Sequence, residues 1–109
     1  MIHVKAQMGD DSTFSLYIEG HAGAERNEHD HDLVCCAVSP ILGTLAASCM
    51  QIEDVNTIHH GRKGNALVTV TGIPDELWAE INARYQMAVD GLTSLAAQYP
   101  KSLEIVCDK

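Results

Sequence analysis

Two kinds of side chain that together make a nucleophile stand at the ends of one stretch, from Gly20-His21-Ala22 to Asp32-Leu33-Val34-Cys35-Cys36. An imidazole can take the proton of a thiol, and the thiolate left behind is the form that attacks a carbonyl carbon. His21 follows an alternating strand pattern, and Cys35 enters a run of small apolar residues that reads as a helix. The partial positive charge of a helix N-terminus favours thiolate there. Fourteen positions separate the two residues, so their meeting depends on the intervening loop folding back. The plain alternative is a buried Cys35 acting as a small hydrophobe and a His21 on the surface. A metal centre is the other chemistry on offer: His29-Asp30-His31-Asp32 with Cys35 and Cys36 supplies nitrogen, oxygen and sulfur, and His59-His60 adds imidazoles. Alternating His and Asp in a loop has no set geometry, so a solvated loop is expected there and no metal.

The elements that must position these residues follow from periodicity. Apolar residues fall on even positions from Ile2 to Met8 and again at Phe14, Leu16 and Ile18, around a turn at Gly9-Asp10-Asp11-Ser12, which predicts a hairpin. Gly20 can bend the exit of its second strand or admit another backbone. Ala22 to His31 lacks periodicity and reads as a polar loop. From Leu33, an apolar stripe through Val34, Val38, Ile41, Leu45 and Cys49 predicts a helix to about Met50, with Asp32 a good N-cap residue. Ser39-Pro40 also resembles a helix start. The stripe keeps its phase through Pro40, so a helix beginning near Asp32 and bent at Pro40 is preferred. Val55 to Ile58 and Ala66 to Thr71 predict a second hairpin around a turn carrying His59 and His60. Pro74-Asp75-Glu76 opens a long helix with Leu77, Ile81, Tyr85, Ala88, Leu92, Leu95 and Tyr99 on one face, ended by Pro100. Leu103, Ile105 and Cys107 close the chain as a strand. The expected fold is a single α+β domain over residues 1–109, a two-layer ββαββαβ arrangement with two helices on one face of a mainly antiparallel sheet.

Bulk composition narrows the function. Seven Lys and Arg against 15 Asp and Glu leave a net charge of −8, and with one Phe, three Tyr and one Trp there are neither clustered cations nor aromatic platforms for nucleic acid. An acidic surface suits a basic partner such as a cationic peptide. No apolar run reaches the length of a membrane span, and Met1 to Gln7 alternates instead of offering a basic and then an apolar segment. A soluble, cytoplasmic protein without membrane contact is therefore expected. Cys35, Cys36, Cys49 and Cys107 show no CxxC pair and read as thiols.

Gly20-His21-Ala22, the polar loop, and Asp32-Leu33-Val34-Cys35 followed by small residues and Ser39 resemble the signature of the ribosomal-processing cysteine proteases. In that family a Gly-His-Ala element precedes an Asp-aliphatic-Val-Cys-Ala element and a small-residue helix. The local match covers residues 20–39, and the rest of the chain agrees in length, acidity and element order. Cys36 departs from it, standing where the family usually has Ala or Gly, as does Pro40, which falls inside the family's helix. The resemblance implies a catalytic dyad of His21 and Cys35, no cofactor, a homodimer, and removal of an N-terminal extension from the precursor of a large-subunit ribosomal protein. On this reading the oxyanion is held by backbone amides near Cys35 and Cys36. Asp32 either caps the helix or orients His21, and Ser39, one turn beyond Cys35, touches the site or packs beside it. The competing functions are a non-catalytic acidic module binding a basic ribosomal or assembly protein, and a metal-binding regulator.

Overall fold

The structure, a computed structural model, describes residues 1–9, 13–20, 28–62 and 65–108, with residues 28–33, 35, 36, 62 and 108 described by their backbone alone. The expected turn at Asp10 to Ser12 lies outside the described residues, as does most of the polar loop.

The first hairpin forms as its alternation demands. Strands β1 (Ile2–Gly9) and β2 (Thr13–Glu19) pair antiparallel with Val4 opposite Ile18, Ala6 opposite Leu16 and Met8 opposite Phe14. Period-two spacing puts these apolar residues on one face, and all but the half-buried Met8 are buried. Helix α1 (Glu28–Met50) follows, then β3 (Asn56–Arg62) and β4 (Asn65–Thr71), helix α2 (Asp75–Gln98), and β5 (Leu103–Asp108). The sheet order is β3-β4-β2-β1-β5, with every pair antiparallel except β1 with β5.

This order explains why both helices share a face. From β2 to β3 and from β4 to β5 the chain returns to a strand of the same direction, so each helix is a crossover. The two crossovers start on oppositely directed strands and run opposite ways along the sheet. Right-handed connection therefore sends both to the same side. There α1 packs on α2, β3 and β4, while α2 packs on β5. Between sheet and helices lies one core including Phe14, Leu16, Val34, Leu42, Val68, Ile81, Leu92 and Leu103. Phe14 anchors it by stacking on Tyr85 at 4.4 Å and Trp78 at 5.0 Å between ring centroids.

Two expected boundaries move. α1 begins at Glu28, four residues before Asp32, and runs unbroken as helix through Pro40. β3 extends to Arg62, so His59 and His60 are strand residues opposite Val68 and Leu67, where a turn was expected. Pairing with β4 overrides the polar composition of that edge strand.

Candidate active site

The site is built where β2 ends and α1 begins. Gly20 follows the last residue of β2 with φ +118°, a conformation that L side chains rarely adopt. The bend expected there is therefore real, and it sends the chain out of the sheet one residue before His21. His21 itself lies outside the described residues, as do the side chains of Asp32, Cys35 and Cys36.

The backbone places the remaining candidates. Asp32 is the fifth residue of α1, inside the helix, so it is not an N-cap. A carboxylate preceding an apolar stripe looks like a cap from sequence. Here Glu28, Asp30 and Asp32 instead occupy the first turns together, where negative charge suits the positive end of the helix dipole. Cys35 and Cys36 are the eighth and ninth helical residues. The dipole's influence fades within the first turn, so it does little for a thiolate at that depth. In α-helical backbone the amides of Cys35 and Cys36 donate to the carbonyls four residues back, so neither is free to hold an oxyanion. Pro40 acts on the peptide that follows them. Having no N–H, it leaves the Cys36 carbonyl without its helical donor, one residue from Cys35.

Val34, immediately before Cys35, is fully buried, and Val38 is buried one turn on, so the cysteine-bearing segment is anchored in the core. Ser39 is exposed. Seven helical rises separate Glu28 from Cys35, about 10 Å, and the seven residues 21–27 can span about 23 Å when extended.

His59 and His60 are exposed on the edge strand β3. Among the described residues no group of three His, Cys, Asp or Glu is placed to hold a metal ion, and the His29 to Asp32 segment falls outside that set. Cys49 and Cys107 are free thiols. Burial pushes the Cys49 thiol up, which disfavours thiolate and leaves it a structural hydrophobe. His3 meets Glu104 at 2.7 Å on the exposed sheet face.

A groove of about 470 Å³ between the helices, with Pro40, Ile41, Leu45, Arg84, Met87 and Gly91 among its walls, was not foreseen. Its residues come from two helices far apart in the chain, and the nearest sequence signal was Pro40 interrupting an apolar stripe. Among the described residues no helix is long and apolar enough to cross a membrane.

Comparison with known proteins agrees with this architecture. Two crystal structures of the S. aureus ribosomal processing protease Prp, one with a substrate peptide and one with a covalently linked product peptide, superpose with TM-scores of 0.76 and 0.74. Each is 17% identical to this chain, over 98% of it and 99% of theirs. A Streptococcus mutans protein superposes with a TM-score of 0.71 at 20% identity, over 100% of this chain and 96% of its own. At these identities the likeness is one of fold. Among curated proteins none matches the sequence significantly. The model of the family described as cysteine protease Prp matches residues 1–104. Through that match, spanning both proposed site residues and every element up to the first two residues of β5, the chain belongs to the Prp family of cysteine proteases.

Proposed function

We propose that this protein is the endopeptidase that removes the N-terminal extension of a large-subunit ribosomal protein precursor, with Cys35 as nucleophile and His21 as general base. The family match across residues 1–104 carries the reading, since it includes the Gly20-His21-Ala22 and Asp32-Leu33-Val34-Cys35 elements on which the chemistry depends. The S. aureus relatives, crystallised with substrate and covalently linked product peptides, support a peptide as the ligand of this fold.

His21 takes the Cys35 proton, and the sulfur attacks the scissile carbonyl to give a tetrahedral oxyanion. As that intermediate collapses, the C–N bond breaks, the imidazolium gives its proton to the leaving amine, and a thioester remains on Cys35. Water, deprotonated by His21, then releases the acyl group and regenerates the thiol. The helical amides of Cys35 and Cys36 are taken, so the oxyanion draws its donors from the 21–27 connection or from a local opening of α1 beside Pro40. Asp32 orients His21, with Cys36 and Ser39 beside the dyad. The substrate is a basic segment drawn to a chain of net charge −8. The enzyme works in the cytoplasm as a homodimer, without cofactor and without nucleic acid or membrane.

Incubation with the precursor and mass analysis of the products tests this. Cleavage is expected from the unaltered protein and from Cys36→Ala, and none from Cys35→Ser or His21→Ala. Binding without cleavage by the unaltered protein would instead identify a non-catalytic acidic module. Stoichiometric metal in the purified protein would favour a regulator.

A further inference from the structure

We propose that Gly20 is a positioning residue for His21, holding the root of the catalytic imidazole against a locked peptide plane at the start of β1. This rests on the role of His21 given above. A Cβ on Gly20 would overlap the Met1 carbonyl oxygen and come within 3.1 Å of the Ile2 Cα. That carbonyl cannot turn aside. It shares one planar peptide with the Ile2 amide, whose N–H donates to the Ser102 carbonyl at 2.8 Å. Ile2 is itself buried and sits opposite Leu103 in the parallel β1–β5 pair. The peptide facing Gly20 is therefore clamped by β5, and the Gly20 backbone lies against it in a conformation with φ +118°. Two independent restraints, a left-handed backbone and a close approach, meet at a residue whose next Cα, that of His21, is 3.8 Å away. The exit of β2 is thus a rigid mount for the residue bonded to it.

Gly20→Ala relaxes only by moving the β2 exit, and His21 moves with it. The expected result is a kcat lower by about 10²-fold, the lower end of what a positioned general base contributes, with KM changed less than about twofold. A purely structural role would not alter the protonation of the dyad. Alkylation of Cys35 against pH, followed in a Cys36→Ala background, should therefore shift its midpoint up toward that of a free thiol for Gly20→Ala, as for His21→Ala. Added to His21→Ala, the Gly20 change should cause no further fall in kcat. Should Gly20→Ala not fold, insertion of one glycine between Gly20 and His21 adds no Cβ and displaces the imidazole by a residue, and the same three results are expected. Unaltered kcat in either variant, an unmoved alkylation profile, or a further loss on the His21→Ala background overturns the inference. Full activity of His21→Ala would instead overturn the proposed chemistry itself.

Discussion

The two crossover helices are nearly equal in length, 23 residues in α1 and 24 in α2, and they differ in how their backbones are satisfied. α2 starts cleanly after Pro74, carries Asp75 and Glu76 in its first turn, and ends with the Tyr99 amide donating to the Leu95 carbonyl. Its stripe of Ile81, Tyr85, Ala88, Val89 and Leu92 is buried along most of its length, and Tyr85 stacks on Phe14 at the centre of the sheet. α1 has a proline in its middle. Its C-terminal end is satisfied from outside, by Arg84 of α2 donating to the Ser48 carbonyl at 2.8 Å. Both helices are fixed to the core, α1 through Val34, Val38, Leu42, Leu45, Ala46 and Cys49. α1, which carries both candidate cysteines, also takes a hydrogen bond at its end from its neighbour, where a site must admit a polypeptide and let the backbone adjust.

The contrast breaks first at the aromatic stack. Phe14→Ala removes the partner of both Trp78 and Tyr85 and should cost about 3–5 kcal/mol, read from urea unfolding, which is enough to endanger the whole fold. Next comes a pH effect carried by Tyr85 of α2. The Tyr85 hydroxyl donates to the Gln7 and Ser15 carbonyls, and burial, with a smaller effect from Cys107, pushes it up to about 12. The folded state keeps this proton when the unfolded chain, titrating near 10, has lost it. The stabilisation is therefore whole below pH 10 and declines between pH 10 and 12 by roughly 1.4 kcal/mol per unit. Unfolding curves at pH 9 and pH 11.5 should show the loss, and Tyr85→Phe should lack this part of it. An equal slope in both proteins would mean that the hydroxyl is not held as described.

In α1 a helix-forming substitution should stabilise. Pro40→Ala restores an amide to the Cys36 carbonyl and removes the ring's crowding, worth about 3 kcal/mol in a helix interior, less up to about 1 kcal/mol of unfolded-chain stiffness lost. A net gain of roughly 2 kcal/mol is expected in thermal or urea unfolding. If the opening beside Cys35 serves catalysis, kcat should fall as stability rises. A destabilised Pro40→Ala would show that the ring's packing at the groove outweighs the missing hydrogen bond.

The same contrast governs what could be read from the sequence. α2 was legible because its stripe keeps a helical period between a proline start and a proline stop, β1 and β2 because their alternation is uninterrupted, and β5 because Leu103, Glu104 and Ile105 alternate before Val106 breaks the pattern. α1 was legible only where it is apolar. Glu28 to Asp32 has no apolar period, and Asp32 offers a cap at the wrong place, so the first turns read as loop. β3 was shortened for a similar reason: His59, His60 and Arg62 look like turn residues, and the ladder to β4 that makes them strand is a long-range fact. At the site, residue types and the order Gly-His-Ala then Asp-Leu-Val-Cys were visible, and so was the capacity of Gly20 to bend. The clamp on Gly20 was not: the β1–β2 hairpin brings residue 20 beside residues 1 and 2, but only the parallel β1–β5 pairing brings residue 102 against them to lock the peptide.

The smallest effect tests whether α1 leans on α2 through charge or through a hydrogen bond. Arg84 donates from Nη1 to Ser48 and from Nη2 to Glu80, an i,i+4 neighbour on its own helix at 2.8 Å. Glu80→Gln leaves the bond to Ser48 intact and removes a partly exposed pair worth about 0.3–0.5 kcal/mol, a difference salt should erase. Arg84→Met keeps much of the apolar stem but leaves the Ser48 carbonyl without its donor, which should cost about 1–1.5 kcal/mol in a manner salt does not erase. If the two variants lose the same amount at low salt and nothing at high salt, Arg84 is only a surface ion pair. α1 would then be as self-sufficient as α2 despite its proline.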